Sequence, residues 1–141
     1  MRKKQKGTSL IEVLVTLVII AMGVAALVRF QNYLSYHSDL TQQKGDALSL
    51  AVNQIESLRN FQYLNTTAGF AAYQDIASGN STATIGSTTF AVTWAVTTNT
   101  SPAYKTINVS VSWTDRYANT NSINLVSNIA EVNPSTAASV M

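Results

Sequence analysis

MRKKQKGTSLIEVLVTLVIIAMGVAALV, Met1–Val28, divides at Gly7. Ahead of the glycine stand four bases, Arg2, Lys3, Lys4 and Lys6, and no acid. Beyond it Leu10–Val28 is apolar almost throughout, interrupted by a single acid, Glu12. At about 1.5 Å per residue these 19 residues span roughly 28 Å as a helix, close to the hydrocarbon thickness of a bilayer. A basic flank ahead of such a span keeps its near end in the cytoplasm and sends the rest across. An ordinary secretory signal carries its small-residue cleavage site after the apolar run. Here the glycine precedes the run.

The junction GTSLIEVLV, Gly7–Val15, with Glu12 five residues after the glycine, closely resembles the type III signal of type IV prepilins. The resemblance extends from Lys6 to about Arg59. It implies cleavage by a prepilin peptidase after Gly7 and N-methylation of Thr8 as the new first residue. It also implies that Glu12 pairs with the N-terminal amine of a neighbouring subunit during assembly. Thr8 departs from the Phe common in major pilins and points toward a minor subunit. AMGVAALVRFQ (Ala21–Gln31) and ALSLAVNQIESLR (Ala47–Arg59) look most like PilV-type minor pilins, and the I-type pseudopilins of type II secretion share that look. The implied partners are other pilin subunits, the peptidase and an inner-membrane assembly platform. The chain would sit in the inner membrane as a single-pass precursor, then in a cell-surface filament or a periplasmic pseudopilus. A type II secretion pseudopilin and an uncleaved signal-anchored periplasmic binding module are the alternatives.

Elementary energetics agrees. A carboxylate within an apolar span costs a few kcal/mol at the bilayer centre, and less near the edge, unless it finds a partner. Glu12 lies about one turn inside the cytoplasmic end, where a neighbour's α-amine would be a cation at the same depth. Thr16 can bond back to its own helix, a structural role. Gly23 costs a helix about 1 kcal/mol relative to Ala. Arg29 ends the span, where a long cationic side chain reaches the headgroups.

Composition narrows the function classes. Charged residues are 11% of the chain, and the remaining polarity comes from Ser, Thr, Asn and Gln. The formal charge is +2, but loss of the leader bases would leave five bases against seven acids, a net −2. The surviving Arg29, Lys44, Arg59, Lys105 and Arg116 are scattered, so no basic patch argues for nucleic acid. Without cysteine, no disulfide or thiolate chemistry is available, and His37, the only histidine, excludes a His-pair metal site. His37 reads as a solvated or packing residue on the polar stretch YLSYHSDLTQ. The matches to N-x-S/T at Asn65, Asn80, Asn99 and Asn108 are expected by chance in so Thr/Asn-rich a chain. Asp115 with Asn119 and Asn121 reads as a polar hairpin turn ahead of a Ca²⁺ site. No nucleophile–His–acid set, phosphate loop or carboxylate pair is recognisable, so the expectation is a non-enzyme with no cofactor and no metal.

The expected architecture is α+β, with a leader at 1–7, a long helix over 8–61 and a connector plus antiparallel sheet domain over 62–141. This is the type IV pilin fold that the resemblance implies. No proline occurs before Pro102, and Gly45 is the only glycine between Gly23 and Gly69, so the helix is expected to continue as a rod about 80 Å long. Asp46 could cap a second helix if it breaks. The first half of the helix, with its transmembrane part at 10–28, is apolar all round. In the second half Leu48, Ala51, Val52, Ile55 and Leu58 form an amphipathic stripe. Phe90, Val92, Trp94 and Val96, and then Ile107, Val109, Val111 and Trp113, alternate with polar or small residues at a period of two. TNTSPAY turns between them, DRYANTN (Asp115–Asn121) makes the next turn, and Ser122–Ala130 is a third strand. Thr82–Ile85, followed by Gly86-Ser87, is a short edge strand. The expected core is Leu48, Val52, Ile55, Trp94, Val109, Val111 and Trp113. Phe70, Tyr73 and Ile76 are expected to pin the connector Gln62–Asn80, and the tail Val132–Met141 to be mobile.

Overall fold

The computed structural model describes residues 10–133. It separates into two compact units that meet within one helix, the first ending at Leu40 and the second beginning at Thr41. The helix, α1, runs Leu10–Arg59 without a break. Gly45 does not interrupt it, and the Asp46 cap is not used. The roughly 1 kcal/mol that a mid-helix glycine costs is offset by the burial that follows one turn later. The helix stops at Arg59, two residues short of Phe61. Asn60 closes the last turn by donating to the Glu56 carbonyl at 3.1 Å, and Phe61 leaves to stack edge-on against Tyr73, 5.4 Å between centroids.

In the second unit the helix lies on a four-stranded antiparallel meander in the order β1-β2-β3-β4. The strands are β1 Gly79–Ile85, β2 Thr88–Thr100, β3 Ala103–Thr114 and β4 Thr120–Ala130. Each is longer than its alternating apolar run, because polar Thr and Asn continue the ladder after the inward side chains run out. The turn expected across TNTSPAY shrinks to Ser101-Pro102, and β1 begins at Gly79 rather than Thr82. Gly79 is required where it stands, since a Cβ there would fall 2.6 Å from the Trp94 ring.

The core is the inward face of β2 and β3 with one helix stripe. Phe90, Ile107, Val109 and Val111 are fully enclosed, and Trp113 is nearly so. Phe90 pairs with Trp113 across the strands, their ring centroids 5.6 Å apart. The Trp113 indole Nε1 donates to Gln43 Oε1 at 2.9 Å, and Gln43 Nε2 donates to Thr88 Oγ1 at 3.3 Å. This fixes the helix rotation.

The rotation corrects part of the expected core. The enclosed helix residues are Ala47, Ala51 and Ile55, whereas Leu48 and Val52 remain 49% and 42% exposed. The true stripe lies about 100° away from Leu48 and Val52, since neighbouring helical residues are offset by that angle. Bulky Phe90 and Trp113 on the sheet leave room for alanine rather than leucine opposite, and close packing decides the face over raw hydrophobicity. Trp94 is a second correction. It shares the inward phase but is only half-buried, lying over Gly79 with its Nε1 donating to the Ala77 carbonyl at 2.9 Å. It seals the β1 margin rather than anchoring the centre.

The connector between Asn60 and Ser78 folds on itself. Tyr73 N donates to Tyr63 O at 2.8 Å, Gln74 N to Leu64 O at 3.1 Å and Gln62 N to Ala71 O at 2.9 Å, so its two arms run side by side. Tyr73 and Ile76 are buried as expected, joined by Ala72. Phe70 is not a pin. It is 50% exposed and stacks on Tyr63 at 5.1 Å, beyond Gly69, which takes a φ of +84° at the tip. Of the tail expected to be mobile, Val132–Met141, residues 134–141 lie outside the described residues.

Candidate assembly helix and the connector clamp

Glu12 stands in the first turn of α1, where a carboxylate is favoured by the helix dipole. It projects from a helix whose apolar side chains have no cover. From Leu10 to Leu34 the large apolar residues are 50–78% exposed. An apolar surface of that extent requires lipid or other helices. By length and composition, with a mean hydropathy of 2.7 in its apolar window, the helix is able to cross a membrane. At the other end of α1 Arg59 pairs with Glu56 at 2.8 Å. Thr16 Oγ1 donates to the Glu12 carbonyl at 2.8 Å and to Val13 O at 2.9 Å, the back-bonding expected of it. The Gly7–Thr8 junction lies outside the described residues. His37 packs between Tyr33 and Tyr36, with centroids at 4.2 and 5.3 Å, as a packing residue on α1.

The Asp115 turn has the polarity of a self-satisfied hairpin. Asp115 Oδ1 accepts from Tyr117 N and Asn119 N, both at 2.9 Å, and Oδ2 accepts from Asn119 Nδ2 at 3.2 Å. Donors rather than oxygens converge on the carboxylate, the reverse of what a hard cation needs. Among the described residues no group of three or more acidic or histidine side chains is placed to hold a metal.

The feature that sequence reasoning missed is Lys105. Counted above among scattered bases, it is 6% exposed. Its Nζ donates to three main-chain carbonyls of the connector: Tyr73 at 2.8 Å, Gln74 at 3.2 Å and Ile76 at 2.9 Å. The ammonium also lies 4.9 Å from the Tyr73 ring centroid. Three donors meeting three acceptors satisfy a buried charge that would otherwise be costly. Burial pulls the ammonium below the ordinary lysine value, with Asp75 and Glu131 opposing the shift. Burial also raises the Tyr73 hydroxyl above its usual value, and Glu131 adds to that. The signal was present in the sequence: Lys105 keeps the inward phase of Ile107, Val109 and Val111.

At the other end of the chain, the family model described as the prokaryotic N-terminal methylation motif matches residues 2–28. No curated protein and no solved structure is matched. The matched segment holds the basic flank, Gly7, Thr8 and Glu12, and ends where the apolar run ends. The chain thus carries a prepilin-type methylation motif on an apolar helix suited to membrane anchoring, above an α+β, pilin-like fold.

Proposed function

We propose that the protein is a structural subunit of a type IV pilus or pilus-like filament, in the role of a minor pilin. In this reading the precursor waits in the inner membrane with the bases of Met1–Gly7 on the cytoplasmic side. A prepilin peptidase cuts between Gly7 and Thr8 and methylates the Thr8 amine. An assembly platform then draws the subunit out, and residues 10–28 exchange lipid contacts for packing against neighbouring helices. Glu12 receives the N-terminal amine of an adjacent subunit at the same depth, so two charges that would each be costly in an apolar core neutralise one another. The chemistry is assembly rather than catalysis.

The observation that carries the reading is the methylation motif over residues 2–28, on a helix whose large apolar side chains from Leu10 to Leu34 are exposed among the described residues. Mass spectrometry of the protein recovered from membranes and sheared filaments tests it. The expected N-terminus is an N-methylated Thr8. An intact chain beginning at Met1, from cells that contain the peptidase, would sink the proposal and favour an uncleaved anchor.

A further inference from the structure

Three connector carbonyls, those of Tyr73, Gln74 and Ile76, point at one place, and the Lys105 Nζ occupies it. Converging carbonyl dipoles repel one another. Taken out of water without a donor, they also carry a desolvation penalty. For Gln74 O and Ile76 O the ammonium is the donor; Tyr73 O receives in addition the Ile76 amide at 3.3 Å. The connector conformation over these residues therefore depends on a hydrogen-bond donor supplied by a different element, β3. The dependence extends further, because the second arm is tied to the first through Tyr73 N to Tyr63 O and Gln74 N to Leu64 O. Tyr63, on the first arm, and Phe70, beside the Gly69 tip, are 44% and 50% exposed and form a ring pair.

We propose that Lys105 is a latch: from the sheet it holds the connector in one conformation and so sets how the exposed Tyr63–Phe70 pair is presented. The latch is local. The strands are held by their own ladders and by the packing of Phe90, Val109, Val111 and Trp113, none of which needs the ammonium. In Lys105→Met a thioether of similar length fills the space, Gln74 O and Ile76 O lose their donor, and Tyr73 O keeps only the Ile76 amide. The connector then opens while the sheet stays folded.

Hydrogen exchange on the full chain in detergent micelles, followed residue by residue, tests this. In Lys105→Met the amides of Gln62, Tyr73, Gln74 and Ile76 should exchange at least about tenfold faster, and those of Val92 and Val109 within about twofold of wild type. Ile129→Ala is the control. Ile129 faces Lys105 across β3 and β4 and is buried, so its truncation weakens the sheet without touching the carbonyls. It should leave local connector opening within about twofold. Unchanged connector exchange in Lys105→Met would overturn the latch. So would equal acceleration of connector and strands, which would make Lys105 a general stability residue.

Discussion

The two halves of α1 are one continuous helix with opposite ways of covering their apolar surface. Residues 41–59 bury Ala47, Ala51 and Ile55 against their own sheet. Residues 10–28 offer Leu, Ile and Val on every side, and none of them is buried among the described residues. The chemistry of the stripe follows the partner. Where the partner is a sheet already bearing Phe90 and Trp113, the helix supplies alanine. Where the partner must come from outside, the helix is bulky all round and asks only for an apolar surrounding. One acid, Glu12, breaks that uniformity.

The largest effect should come from that acid. Glu12→Val makes the first half uniformly apolar, so insertion into the membrane is at least as favourable as before. Incorporation into filaments should fall to background, because a neighbour's amine then lacks its counter-charge in an apolar environment. Fractionation of membranes and sheared filaments reads both quantities. Wild-type incorporation would remove Glu12 from the assembly reading, and loss of membrane insertion would show that the acid matters for a different reason.

How much of this was legible depended on whether a signal lay in pattern or in volume. The helix, the meander and the inward faces of β2 and β3 follow from periods of 3.6 and 2, which a single sequence displays. The helix rotation does not. Leu48 and Val52 fit the same period as Ala47 and Ala51, one position off. Only the size of the rings opposite, with the Trp113–Gln43 hydrogen bond, decides between the two faces. The strand ends were missed because Thr and Asn extend a ladder without alternating in hydrophobicity. Lys105 was missed because a lone base reads as solvated, although its phase with Ile107 placed it inward. Of the proposed assembly site, Gly7, Thr8 and Glu12 are legible as part of a motif, since a processing signal would be read from local order rather than from tertiary packing.

Next in size is the loss of a core ring. Trp113→Ala should cost about 3–5 kcal/mol, a large part of the 5–15 kcal/mol typical of a domain. Thr114→Ala, one residue on and facing solvent, should stay within about 0.5 kcal/mol. Chemical denaturation of the pair checks the register of β3, and equal small losses would mean that the ring is not buried.

A pair of insertions sharpens the contrast between the halves of the helix. Ala51 has no exposed surface, so Ala51→Leu forces extra volume between helix and sheet and should cost about 1–3 kcal/mol. Ala25, on the other half, is exposed. Ala25→Leu should therefore leave the unfolding of the sheet domain unchanged. A comparable loss at both sites would mean that the two halves do not differ in the way their burial indicates.

The smallest expected effect is a pH dependence confined to the clamp, and its sign follows from the two displaced groups. Lys105 is lowered from 10.5 in the folded state. Between its folded value and 10.5 the unfolded chain binds more protons, and stability rises as the pH climbs through that window. Tyr73 is raised from 10.0. Above 10.0 the unfolded chain loses its proton first, and stability falls as the pH rises further. The two contributions oppose one another, the rise from Lys105 ending at 10.5 and the fall from Tyr73 beginning at 10.0. Deprotonation does not undo the clamp, because a neutral amine keeps two N–H donors for the three carbonyls. Thermal unfolding across this range separates the two groups: Tyr73→Phe should remove the fall and keep the rise, whereas Lys105→Met, which opens the connector around Tyr73, should remove both. If the wild-type and Lys105→Met curves run parallel up to pH 10.5, the ammonium is not desolvated as its position between β3 and the connector requires.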